Sequence, residues 1–134
     1  MDDSIASATA TIGTDTYKTE LTARTHTIMG DETSDVGGKD LGPQPGDFLR
    51  MSLASCTAIT LRMYANRKKM DVQQIQVTVS NGPTTDKTLY QTDIVITGNI
   101  SEADRTRLIQ IARKCPVHKI LTSPIEIAHT LKVG

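Results

Sequence analysis

A chain of 134 residues fits one domain, and its 15 basic residues balance 15 acidic ones with no stripe of cations among aromatics, which argues against nucleic acid as a partner. No apolar run approaches the ~18 residues that span a bilayer, and the acidic start MDDSIASATATIG lacks the apolar segment of a signal peptide, so the expected location is cytoplasmic, with no membrane partner. One Phe, three Tyr and no Trp leave little aromatic area for a core, which makes a core shared across a dimer the more plausible.

The stretch from Ile5 to Ile12 is rich in Ser, Thr and Ala, and Gly13-Thr14-Asp15 offers a turn. From Thr16 to Leu21, Tyr17, Thr19 and Leu21 alternate with Lys18 and Glu20, the pattern of a half-buried strand. Arg24 to Met29 resumes an extended pattern until Gly30-Asp31-Glu32 breaks it. The first third therefore reads as an antiparallel meander. Asp35 to Gly46, with Gly37-Gly38, Gly42-Pro43 and Pro45-Gly46, reads as a loop. Its glycines match neither GxGxxG nor GxxxxGK[ST], so it is no phosphate cradle.

A long helix is predicted from Pro45 to Lys69. Pro45 suits the first turn, and Asp47 stands where the helix dipole favours an acid. Phe48, Leu49, Ser52, Leu53, Cys56, Ile59, Thr60 and Met63 recur at spacings of three and four, which sets Cys56 on a mostly apolar stripe. Leu61 and Tyr64 lie on another side, so the helix is expected to be largely enclosed. Val72 to Val79 and Leu89 to Ile96 read as two strands of a hairpin joined through Thr84 to Lys87. Ser101-Glu-Ala-Asp104 opens a helix like a capping box with Asp for Glu; Leu108, Ile109, Ile111 and Ala112 form its apolar face, and it ends at Lys114 because Cys115 precedes Pro116. A short helix from Pro116 to Leu121 and a final strand from Ile125 to Val133 complete an α+β order with a mainly antiparallel sheet.

Two cysteines, Cys56 and Cys115, stand far apart in the chain. In a reducing compartment they read as free thiols, a metal site or redox groups, and each alone reads as a small buried hydrophobe. A reactive thiol must be ionised, by a helix amino terminus, a cation or a metal. Cys115 stands just before a helix start and could feel free N–H groups. Cys56, some ten residues inside its helix, needs a cation from elsewhere, for which Arg24 is a candidate. Cys115-Pro-Val-His118 has a C-x-x-H spacing, but structural zinc normally takes four ligands and no second pair is visible. No metal and no cofactor are expected, and His26 and His118 read as surface or satisfied groups.

Gly42-Pro-x-Pro, then Ser52-Leu-Ala-Ser-Cys56-Thr-Ala-x-Thr-Leu-Arg-Met-Tyr-Ala65, and later Cys115-Pro-Val-His-Lys119 together resemble the OsmC/Ohr family of osmotically inducible and organic hydroperoxide resistance proteins. The similarity runs from the Asp31-Glu32 turn to the final strand and is nearest the OsmC-like branch that carries the TLRMYA helix. It implies an intertwined homodimer with a mainly antiparallel sheet wrapped around the long central helix, and thiol-dependent reduction of organic hydroperoxides or hydrogen peroxide. Cys56 matches the peroxidatic and Cys115 the resolving cysteine, with an external dithiol as reductant.

The organic hydroperoxide enzymes also use an arginine and a glutamate. Ile12 to Tyr17, where the arginine is expected, holds none, and Arg24 is the substitute. Asp47 is the nearest match to the glutamate. It lies nine residues before Cys56, about half a turn off its face and roughly 13 Å along the axis, so it either orients an arginine or serves as a helix-start acid. The missing arginine motivates an alternative: a non-catalytic dimeric binding or redox-sensing protein.

Overall fold

The computed structural model describes residues 6–134; the Ile5 that opens the Ser, Thr and Ala-rich stretch lies outside them. The chain divides into two compact units, Met1–Leu49 and Arg50–Gly134, and it is α+β with antiparallel sheets, as expected.

The first unit holds β1 (Thr9–Ile12), β2 (Thr19–Ala23) and β3 (His26–Gly30) in an antiparallel sheet of order β1-β2-β3. Two of its boundaries differ from the sequence pattern for one reason. Thr16 (φ 41°) and Arg24 (φ 55°) adopt left-handed backbone, which ends a strand whatever the side-chain alternation. Arg24 therefore opens the two-residue turn between paired Ala23 and His26 rather than starting β3. In the loop that follows, buried Asp31 accepts backbone N–H bonds from Glu32 at 2.7 Å and Leu41 at 3.1 Å. Gly42 lies against the Met29 carbonyl, where a Cβ would come within 2.4 Å of the oxygen, so no other residue fits this approach.

The helix α1 (Pro45–Arg67) starts on Pro45 as expected. It closes earlier than Lys69: Met70 N–H bonds the Ala65 carbonyl at 2.9 Å and Lys69 N–H that of Asn66 at 3.1 Å, with Lys69 at φ 56°. That pair of bonds is a Schellman cap with lysine at the position glycine usually takes.

In the second unit β4 (Asp71–Pro83) and β5 (Thr88–Asn99) form the expected hairpin, longer at both ends and turned through residues 84–87. A register shift between Val72 and Gln74 changes the strand's phase, so that Val72 and Ile75 share a face despite their odd spacing. That face joins Leu61, Tyr64 and Ala65 of α1 to Leu108 and Ile111 of α2 (Glu102–Ala112) in one core. Ser101 caps α2 by accepting the Asp104 N–H at 3.1 Å. Arg105 donates to the Ile96 carbonyl and Arg62 to that of Val72, each at 2.8 Å, tying both helices to the hairpin. The short α3 (Pro116–Leu121) begins on Pro116 as expected.

Three expectations are corrected. The buried face of α1 is Leu53, Thr57, Leu61, Tyr64 and Ala65; Leu49, Ile59 and Met63 of the anticipated stripe are exposed. On so evenly apolar a helix the periodicity does not choose a side, and the hairpin does. Ile109 likewise lies on the exposed side of α2. The final strand does not form: residues 124–134 have no strand or helix, and Leu131 and Val133 are 93% and 96% exposed. Alternation sets which face a strand would bury, but a strand exists only where another offers its edge.

Candidate active site

The two cysteines, 59 positions apart in the sequence, are brought together in the second unit. Cys56 projects from the middle of α1 and is half-buried; Cys115 is fully buried; both are free thiols. Cys115 gets there because α2 ends at Ala112, three residues before it and short of the Lys114 expected, and Pro116 keeps Cys115 out of helical backbone. Its own backbone is extended (φ −58°, ψ 128°), and the Lys119 N–H returns to its carbonyl at 3.2 Å as α3 begins.

This reversal aims the amino-terminal turn of α3 at α1. The Val117 N–H, among the first of α3 and without a partner inside that helix, donates to the Cys56 sulfur. Thr60, one turn along α1, donates its hydroxyl to the same sulfur, and the Cys115 thiol is hydrogen-bonded to it. Burial, followed by the Cys115 thiol, pushes the Cys56 thiol above its ordinary value, while Val117 and Thr60 act in the opposite sense. A donor to sulfur favours thiolate, whereas desolvation favours thiol; here desolvation prevails.

The free N–H groups of α3 were expected at Cys115, and one of them serves Cys56 instead. Thr60 was legible as the i+4 neighbour of Cys56. Val117 was not, because a backbone N–H leaves no mark in the residue types.

Arg24 is exposed in the β2–β3 turn of the first unit. Asp47 occupies the first turn of α1, and its carboxylate accepts the Gln44 N–H at 3.0 Å, the return half of a capping box. Asp47 thus stands at the helix start foreseen for it. His118 is half-buried on α3 and borders a cavity of about 270 Å3 with Thr57 and Ile109. Among the described residues no three His, Cys, Asp or Glu side chains converge as a metal site would require, and no helix is long and apolar enough to cross a membrane.

A family model described as OsmC-like protein matches residues 37–130. Solved structures share the fold at low identity. A Psychrobacter arcticus protein named for osmotic stress induction and detoxification response is 21% identical, with 87% of this chain and 88% of that one aligned at a TM-score of 0.73. An OsmC-like protein of Mycoplasma pneumoniae is 20% identical over 90% and 89% of the two chains, at 0.74. An organic hydroperoxide resistance protein of Legionella pneumophila is 21% identical over 88% and 89%, at 0.60. No curated protein matches the chain.

Proposed function

Because the chain belongs to the OsmC-like protein family, we propose that it is a thiol-dependent peroxidase that reduces organic hydroperoxides or hydrogen peroxide through Cys56 and Cys115. The observation that carries this reading is the contact between the two free thiols, one half-exposed and one buried. The name of the Legionella pneumophila structure, an organic hydroperoxide resistance protein, supports the same chemistry.

In the proposed cycle the Cys56 thiolate attacks the terminal oxygen of the hydroperoxide. A sulfur–oxygen bond forms as the O–O bond breaks, and the alkoxide leaves with a proton as alcohol. Cys56 is then a sulfenic acid. The Cys115 sulfur attacks that sulfenic sulfur, forming the disulfide and releasing water. An external dithiol restores both thiols by two exchanges and departs as its own disulfide. The Val117 N–H and the Thr60 hydroxyl favour the thiolate. Arg24 is the proposed cation and Asp47 its proposed orienting acid, in a homodimer working in the cytoplasm, where thiols stay reduced.

The missing arginine, together with the burial that raises the Cys56 thiol, favours a second reading, a redox-sensing or binding protein that holds Cys56 protonated. Peroxide treatment of Cys115→Ser separates the two. The peroxidase reading expects a sulfenic acid on Cys56, trapped by dimedone at a rate far above that of a free thiol. Trapping at the free-thiol rate would leave the sensing reading.

A further inference from the structure

A cavity of about 380 Å3 lies along the carboxyl-terminal half of α1, and four of its lining residues are cations: Arg67, Lys68, Arg107 and Lys114. No carboxylate lines it, and none of the four takes part in the salt bridges among the described residues. Three are gathered on one buried ring. The Arg67 and Arg107 guanidinium carbons stand 5.4 and 5.8 Å from the Tyr64 centroid and the Lys68 ammonium 5.9 Å from it. Arg107 Nε also donates to the Tyr64 hydroxyl at 3.2 Å, and Gln110 accepts from its Nη1 at 3.1 Å, which fixes the guanidinium. All four residues are exposed, and the Tyr64 ring, with the two hydrogen bonds of Arg107, keeps three of them together against their mutual repulsion. The field acts on the ring as well: the Arg107 hydrogen bond, which outweighs the effect of burial, holds the Tyr64 hydroxyl below its ordinary range, and the charges of Arg107, Lys68 and Arg67 add to it.

We propose that this cavity binds a phosphate-bearing small molecule, its phosphate held by Arg67, Lys68, Arg107 and Lys114 and its organic part set against Met63 and Ile111. Several cations facing one space match a dianion better than a monovalent carboxylate, and the Arg67 guanidinium fork suits two of the oxygens of phosphate, with Arg107 adding its charge. The volume falls within the range of small-molecule sites and exceeds what phosphate alone needs. Thr60, which donates to Cys56, also lines this cavity, so the occupant sits next to the thiol pair without depending on its chemistry.

Calorimetric titration of the full-length protein, at a fixed ionic strength of about 0.15 M, with inorganic phosphate, phenyl phosphate and acetate tests the site. Saturable binding is expected, tightest for phenyl phosphate and weakest for acetate. Arg67→Gln and Lys114→Gln should each weaken it about tenfold. Lys87→Gln, in the β4–β5 turn, removes the same charge and should leave it unchanged, as should Cys56→Ser. Absence of saturation, equal loss in Lys87→Gln, or acetate binding as tightly as phenyl phosphate would each overturn the proposal.

Discussion

Cys56 stands between opposed influences that the geometry makes separable. Burial, then the neighbouring Cys115 thiol, favours the protonated sulfur, and the Val117 N–H and Thr60 hydroxyl favour the thiolate. Because its folded pKa is raised, the fold prefers the protonated form. That preference is fully present below the ordinary thiol pKa of about 8.5 and is lost as pH rises through Cys56's own higher value. Unfolding midpoints of the reduced protein should therefore fall through the alkaline range, and fall less in Cys56→Ser. Kinetically, Thr60→Val removes a donor without changing shape and should shift the pH profile of Cys56 alkylation further upward, slowing it about fivefold at neutral pH. If Arg24 supplies the activating charge, Arg24→Gln should shift the same profile upward by at least as much; an unmoved profile excludes that role. At this scale the residue types marked Cys56, Cys115 and Asp47 as groups of interest. They could not reveal Val117, whose contribution is a peptide N–H, nor that the side chain of Asp47 turns back onto Gln44.

Elements end where backbone conformation dictates, and here two ends carry measurable energy. Lys69 closes α1 in left-handed backbone at φ 56°, which costs a residue with a Cβ about 1 kcal/mol. Lys69→Gly should raise the denaturant midpoint by up to ~1 kcal/mol at unchanged slope, reduced by glycine's greater freedom in the unfolded chain. Ser101→Ala removes the cap on α2 and should lower stability by about 1 kcal/mol. The hairpin, α2 and α3 were legible because alternation, the Ser101 cap and Pro116 are local signals. The strand limits at Thr16 and Arg24 were not, because neither residue type announces a positive φ. The buried side of α1 also escaped the pattern: with Leu, Ile and Met around much of the helix, the Val72 to Ile96 hairpin decides what is covered.

On the scale of the molecule, the apolar residues most exposed to water include those of the missing strand. Ile125, Ile127, Leu131 and Val133 are 60%, 75%, 93% and 96% exposed, and they alternate as a strand that would bury one face against a sheet. The proposed homodimer gives that face an edge to join. Sedimentation of the wild type at micromolar concentration should give a dimer, and Ile127→Lys combined with Leu131→Lys should shift the population toward monomer. A wild-type monomer would remove the dimer from the proposal. The fold class was readable from the order of elements, and the final strand was misplaced because its pairing is not local.

The central claim is that Cys56 and Cys115 act as one redox pair, and mass analysis after stopped-flow mixing of reduced protein with one equivalent of organic hydroperoxide tests it most directly. The account predicts rapid consumption of that equivalent, loss of two hydrogens per chain and a Cys56–Cys115 disulfide in the digest. Slow consumption at the rate of a free thiol, or two cysteines still reduced after the peroxide is gone, would contradict it.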